Sequence, residues 1–252
     1  MITLFLLLPL ISIALNVGFT DAGWALSENG GKRKMPFSLG AFILYSYAAL
    51  CGQFAGSVAF FSYLPLAYAT LVWAIGFYFD WRRSTDVTRN VFAWNDPLIL
   101  IGVLAAMLFA WQMTSTASFW HWLIAIALLL MLPYTGQKIN KYPLFLWKAS
   151  FCFLVVVFFV IETPQFADVL YVVTVFYIAF VLEGEREACF GTSGALLLGS
   201  LAAIWAISTH SLTLQFACLG VAVFLAYMRL VRSPSGIGVL RWIGELGINK
   251  HE

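Results

Sequence analysis

The chain predicts an all-α fold, a polytopic transmembrane helical bundle of about nine spans with its N-terminus outside and its C-terminus inside. Three observations carry that prediction. Apolar residues make up 62% of the 252 positions and Asp, Glu, Lys and Arg only 10%, with a mean hydropathy of +0.89; a soluble domain needs far more polar surface. The apolar residues fall into runs close to the roughly 20 residues that cross a bilayer. The 14 Lys and Arg residues sort onto alternate breaks between those runs, as cytoplasmic loops require.

Taken in order, the runs are Thr3 to Phe19, Pro36 to Phe61, Pro65 to Phe79, Pro97 to Met113, Phe119 to Leu132, Pro143 to Ile161, Phe166 to Leu182, Gly191 to Ser208 and Leu212 to Leu230. The first resembles a signal-peptide core. No Lys or Arg precedes it and no clean small-x-small site follows, so it reads as a retained span. The stretch Pro36 to Phe79 is too long for one crossing; Ser62 to Pro65 offers the turn, with Pro65 suited to a first helical position.

The basic residues test this layout. Lys32, Arg33 and Lys34 follow the first span; Arg82, Arg83 and Arg89 the third; Lys138 and Lys141 the fifth, with Lys148 just inside the sixth. Arg186 follows the seventh, and Arg229, Arg232, Arg241 and Lys250 the ninth, while the intervening breaks have none. A miscounted span would scramble this separation. Trp24, Trp81, Trp94 and Trp242 fall near the inner edge and Trp111, Trp120, Trp122 and Trp205 near the outer, as interfacial anchors. In the tail, Val239, Ile243 and Leu246 recur at helical spacing, which predicts a short helix on the inner surface. Gly52 and Gly56 form a GxxxG pair, read as ordinary intramembrane packing with an oligomer contact as the alternative.

The bounds on function follow. Residues 1–252 make one integral membrane domain: 1–35 an extra first span and loop, 36–230 the main bundle, 231–252 an interfacial tail. A net charge of +2 spread over several loops excludes nucleic acid as a partner and leaves lipid headgroups or phosphate. Cys51, Cys152, Cys189 and Cys218 lie far apart without metal or redox spacing and read as packing residues.

Chemistry is confined to three charged loops that share the inner side. In FVLEGEREACFGTSG, Glu183 and Glu187 stand four apart and would share a helical face; two such carboxylates can hold magnesium with phosphate oxygens and water, and Arg186 could meet the same phosphate. The bland alternative is a hydrated loop with a local ion pair. In FDWRRSTDVTRN, Asp80 ends an apolar run beside Arg82 and Arg83, which also serve as topology determinants. In LPYTGQKINKYPLFLWK, Lys138 and Lys141 lie one turn apart; Lys148 needs only to snorkel.

This arrangement resembles the UbiA superfamily of membrane prenyltransferases, whose cytoplasmic loops follow their second, fourth and sixth helices. The loops at Asp80, Tyr134 and Glu183 are likewise two spans apart. Tyr134, Lys138, Lys141 and Pro143 look like the family's middle loop, and EGEREACFGTSGALLLG like its second acidic motif. The resemblance covers roughly Pro36 to Leu230, with the first span as an extra N-terminal helix. It departs in having Phe79 before Asp80, Asp86 as the next aspartate, and glutamates two residues apart. What the resemblance implies is transfer of a polyprenyl group from its diphosphate to a lipophilic acceptor. Mg2+ would sit at Asp80, Glu183 and Glu187, and Arg82, Arg83, Tyr134, Lys138, Lys141 and Arg186 would hold the diphosphate. The alternative is a non-catalytic multipass subunit or assembly factor on a degenerate scaffold, within a membrane-protein complex and binding a lipid, quinone or pigment. Either reading places the chain in a bacterial-type cytoplasmic membrane.

Two weaker patterns complete the reading. Gly191-Thr192-Ser193-Gly194 matches the GxSG of rhomboid proteases, but His210 lies at the far end of the same span, about 25 Å away at helical rise, and His121 is also at the outer edge. Those two histidines could ligate a haem or metal; two histidines on separate loops are more often interfacial.

Overall fold

The computed structural model of the chain describes residues 2–27, 34–54, 59–85, 97–114, 118–140, 148, 151 and 166–230. Among these residues lie eight α-helices: α1 (Ile2–Asp21), α2 (Leu39–Phe54), α3 (Tyr63–Thr85), α4 (Pro97–Met113), α5 (Phe119–Ile139), α6 (Phe166–Gly184), α7 (Gly191–Ser208) and α8 (Leu212–Leu230). The all-α expectation holds apart from one small hairpin. Two helices, α5 and α7, are long and apolar enough to cross a membrane by length and composition. The expected sixth span and the interfacial tail lie outside the described residues, apart from Lys148 and Phe151.

Two boundaries move. Helix α3 starts at Tyr63, so Pro65 is its third residue rather than its first. The first-turn amides have no partner within the helix, so the proline ring displaces no hydrogen bond there either. Helix α5 does not stop at Leu132 but runs through Pro133 to Ile139, which places Tyr134 and Lys138 on its last turns instead of in a loop.

Helix α7 is the axis of the molecule. Its sequence, GTSGALLLGSLAAIWAIS, is small or apolar all round, and every residue from Ser193 to Ile207 is buried. A helix without a polar face can only be a core element, and α7 packs against α2, α3, α5 and α8. Glycines allow these contacts to be close. A methyl carbon at Gly76 of α3 would lie 2.5 Å from Ser193 Cα, and one on Gly199 would lie 2.5 Å from Pro133 Cα of α5. Gly40 of α2 similarly faces Gly194. Small residues that bring helix backbones together in this way are the usual means of helix association where water supplies no drive. Gly52, read from its GxxxG spacing as a packing position, has no atom within 4 Å of where its side chain would begin; Gly56 lies outside the described residues.

Two short strands, β1 (Ala25–Ser27) and β2 (Lys34–Pro36), pair antiparallel with Ala25 opposite Pro36 and Ser27 opposite Lys34. The hairpin was not anticipated, although Asn29-Gly30-Gly31 between the strands is a turn signal. Edge-to-face contacts among Phe19, Trp24, Phe37 and Phe77, with centroids 4.9 to 6.0 Å apart, fasten it to α1 and α3. The Cys189 amide donates to Pro36 O at 2.9 Å, so the hairpin covers the approach to the first turn of α7.

Candidate functional site

An α-helix begins with amides that have no partner within it, and a Ser, Thr, Asp or Asn just before the first turn normally answers them. At α7 that position is Phe190, which has no side-chain oxygen to offer and makes no such bond. The answer comes from another helix. Asp80, near the end of α3, accepts from the Thr192 amide through Oδ1 at 2.7 Å, and from the Ser193 amide and hydroxyl through Oδ2 at 2.7 and 2.8 Å. The Gly191 amide turns to the Cys189 sulfur. The first turn is thus satisfied by groups outside it, with the carboxylate at the positive end of the helix dipole.

The backbone is shaped for this contact. Gly191 has φ +61°, and a methyl carbon there would meet Asp80 Oδ2 at 2.5 Å and Phe37 Cβ at 2.9 Å. Asn140, the C-cap residue of α5, donates from Nδ2 to Gly191 O at 2.6 Å. The ends of α3 and α5, the start of α7 and the hairpin therefore meet in one knot.

Its electrostatics follow from burial. Asp80 is fully buried, which pushes its carboxyl above the ordinary carboxylate value, while hydrogen bonds from Ser193 and Thr192 pull it back. All three contacts are donations to oxygen, so the ionised carboxylate is the form that completes the cap. Burial also pushes the Cys189 thiol far above its usual value, reinforced by the charges of Asp80 and Glu183 and opposed by the Gly191 amide and Arg83.

The expected site residues divide into two groups. Asp80, Arg83 and Glu183 lie within electrostatic reach of Cys189, and Lys148 within reach of Glu183. Lys138 sits over the Tyr134 ring, 5.1 Å from its centroid, one turn along α5. Arg82 is half-buried in the last turn of α3. Lys141 lies outside the described residues.

Glu183 and Glu187 do not share a helical face. Helix α6 ends at Gly184; the Glu187 amide bonds Leu182 O at 2.9 Å and the Arg186 amide bonds Glu183 O at 3.1 Å, with Arg186 at φ +57°. This pair of bonds closing a helix on a left-handed residue is a Schellman motif. It carries Arg186 and Glu187 out of the helix and into solvent, where both are exposed.

The residues present do not fit magnesium. The ion demands near-octahedral geometry and usually keeps several waters, but three of about four acceptor positions of Asp80 are taken and the residue is shut from solvent. Among the described residues no three His, Cys, Asp or Glu side chains are grouped to hold a metal. Ser193, the serine of the GxSG pattern, donates its hydroxyl hydrogen bond to Asp80. Sequence reasoning missed Thr192 and Ser193 as partners of Asp80, and Gly191 and Asn140, which shape the same turn. The available signal was a helix opening on Phe190-Gly191-Thr192 with no local cap, which requires an acceptor from elsewhere.

No family model, curated protein or solved structure matches the chain. The prenyltransferase resemblance therefore rests on the quoted motifs.

Proposed function

We propose that this chain is a non-catalytic multipass membrane protein, a subunit or assembly factor in which the ends of α3 and α5 and the start of α7 are joined into a structural closure. The observation that carries this reading is the saturation of Asp80: the carboxylate best placed to serve as a metal ligand is consumed by the first turn of α7.

The membrane part of the reading draws on the outer surface. Leu6, Leu10, Ile13 and Val17 stand exposed on α1; Leu100, Leu104, Leu108 and Trp111 on α4; and Phe216, Val223, Phe224 and Tyr227 on α8. Leu108 is 71% exposed and Leu6 69%. Contiguous apolar faces of this kind are not left to water by soluble monomers; hydrocarbon is the solvent that suits them. Nine spans with the N-terminus outside remain the topology that best accounts for the segregation of Lys and Arg, in a bacterial-type cytoplasmic membrane.

The UbiA-like reading, Mg2+-dependent transfer of a prenyl group from its diphosphate, draws on the approach of the α3, α5 and α6–α7 ends to one another. Titration of the purified protein with farnesyl diphosphate, with and without Mg2+, separates the two readings. A non-catalytic closure gives no Mg2+-dependent binding. Saturable Mg2+-dependent binding, lost in Glu183→Gln or Glu187→Gln, would overturn it in favour of the enzyme.

A further inference from the structure

We infer that the protein holds one acyl chain of a bilayer phospholipid in a cleft between α2, α6 and α7, in the half of the bundle away from the Asp80 closure. The cleft takes in about 480 Å³, its open side included, within the roughly 300–1,000 Å³ of small-molecule sites. Six aromatic residues, Tyr47, Phe60, Phe61, Tyr171, Phe176 and Trp205, line it, and the rest of the wall is aliphatic apart from Ser46. Trp205, which its place in the sequence marks as an outer interfacial anchor, is instead 7% exposed and packs edge-on against Phe60 with centroids 4.2 Å apart.

The wall selects against polar ligands. Its three hydroxyls are spent on backbone: Ser46 donates to Phe42 O at 2.8 Å, Tyr47 to Phe60 O at 2.6 Å and Tyr171 to Ser46 O at 3.3 Å. Each hydroxyl has a single hydrogen, so none is left to donate to a quinone or pigment carbonyl, whose burial without a partner is costly. Hydrocarbon needs no such partner. An apolar hollow without polar groups to hold water stays dry, and left empty it deprives its lining of the contacts of close packing. The source of the hydrocarbon follows from where the cleft opens. Phe61 and Val172 of its wall are partly exposed, and Val173 and Tyr177, beside it on α6, face outward, so the cleft is continuous with the apolar outer surface. Trp205 lies about 18 Å along α7 from Ser193 at helical rise, which places the headgroup of the seated lipid at the edge opposite the charged end. The inference rests on the membrane reading above and not on whether the protein is catalytic.

The test uses the full chain in phosphatidylethanolamine vesicles carrying a trace of the same lipid with a diazirine in its acyl chain, and maps the labelled residues by mass spectrometry after illumination. Trp205 and Phe60, both buried, should be labelled alongside the exposed Val173 and Leu108. Val175 lines the cleft; Val175→Phe, which puts a ring into it, should lower labelling of Trp205 by more than about fivefold. Val173→Phe, on the outward face of the same helix, should leave it unchanged. Label confined to outward residues, or label at Trp205 undiminished in Val175→Phe, would overturn the inference. So would a diazirine-bearing polyprenol that labels Trp205 where the phospholipid does not. If Val175→Phe does not fold, the wild-type map decides alone. Absence of label at Leu108 as well as Trp205 would mean that the membrane reading itself has failed, whereas label at Leu108 without Trp205 removes only the seated lipid.

Discussion

Gly191 and Arg186 both adopt left-handed backbone, and chemistry makes one of them far more replaceable than the other. Gly191→Ala combines a disfavoured φ with a methyl group driven into Asp80 and Phe37, and should cost about 3 kcal/mol in a chemical denaturation series. Gly52→Ala is the control: that glycine is exposed in α2 with open space around it, so the same change should stabilise by about 0.5–1 kcal/mol. Arg186 occupies the Schellman position that glycine prefers. Arg186→Gly should therefore raise stability by up to about 1 kcal/mol; a loss of stability would mean that the side chain contributes more than its backbone costs. Sequence alone drew attention to Asp80, Glu183 and Arg186 because charge is scarce in this chain. What it could not supply was the direction in which each points. Asp80 and a metal-ligating aspartate look identical until the donors at Thr192 and Ser193, far away in the chain, are brought to it.

At the scale of helices, α7 holds the bundle together through contacts that exist only because side chains are missing. Gly76→Val would force its first side-chain carbon against the backbone of Ser193, parting α3 from α7 and withdrawing Asp80 from the amides it caps. Overpacking at one site typically costs about 1–3 kcal/mol, and loss of the cap adds about 1 more, so detergent-solubilised Gly76→Val should unfold well before wild type, whereas Gly76→Ala should fall between them. Most of the helices were legible as apolar runs: α4, α7 and α8 match theirs end for end, because in each case a proline, glycine or charged break coincides with the helix boundary. The end of α5 was less legible. Pro133 reads as a break, yet α5 continues through it with Gly199 of α7 close against its backbone, an approach that only the neighbouring helix reveals. The hairpin escaped notice because strands of three residues leave almost no periodic trace.

Taken as a whole, the molecule is a bundle whose described outward faces are apolar and whose charged end is knotted shut. Cys189 reports on that closure. It lies between the Asp80 cap and the hairpin, with its thiol donating to Met35 O at 3.7 Å, and burial raises it far above an ordinary thiol. Because thiolate is the reactive form, a raised thiol stays unreactive through neutral pH, and its reaction begins only as pH climbs toward the shifted value. An exposed cysteine with the usual value near 8.5 instead gains about 15-fold in thiolate between pH 7 and pH 8.5. The most direct measurement is the rate at which a membrane-impermeant maleimide labels Cys189 in protein whose other three cysteines are alanine, beside Glu185→Cys in the same background lacking Cys189. A closed end predicts labelling of Cys189 at less than about a tenth of the Glu185→Cys rate at pH 7, with little gain by pH 8.5. Labelling at the control rate, rising with pH in the same way, would contradict the account and point to an open, solvent-filled site between Asp80 and Glu183.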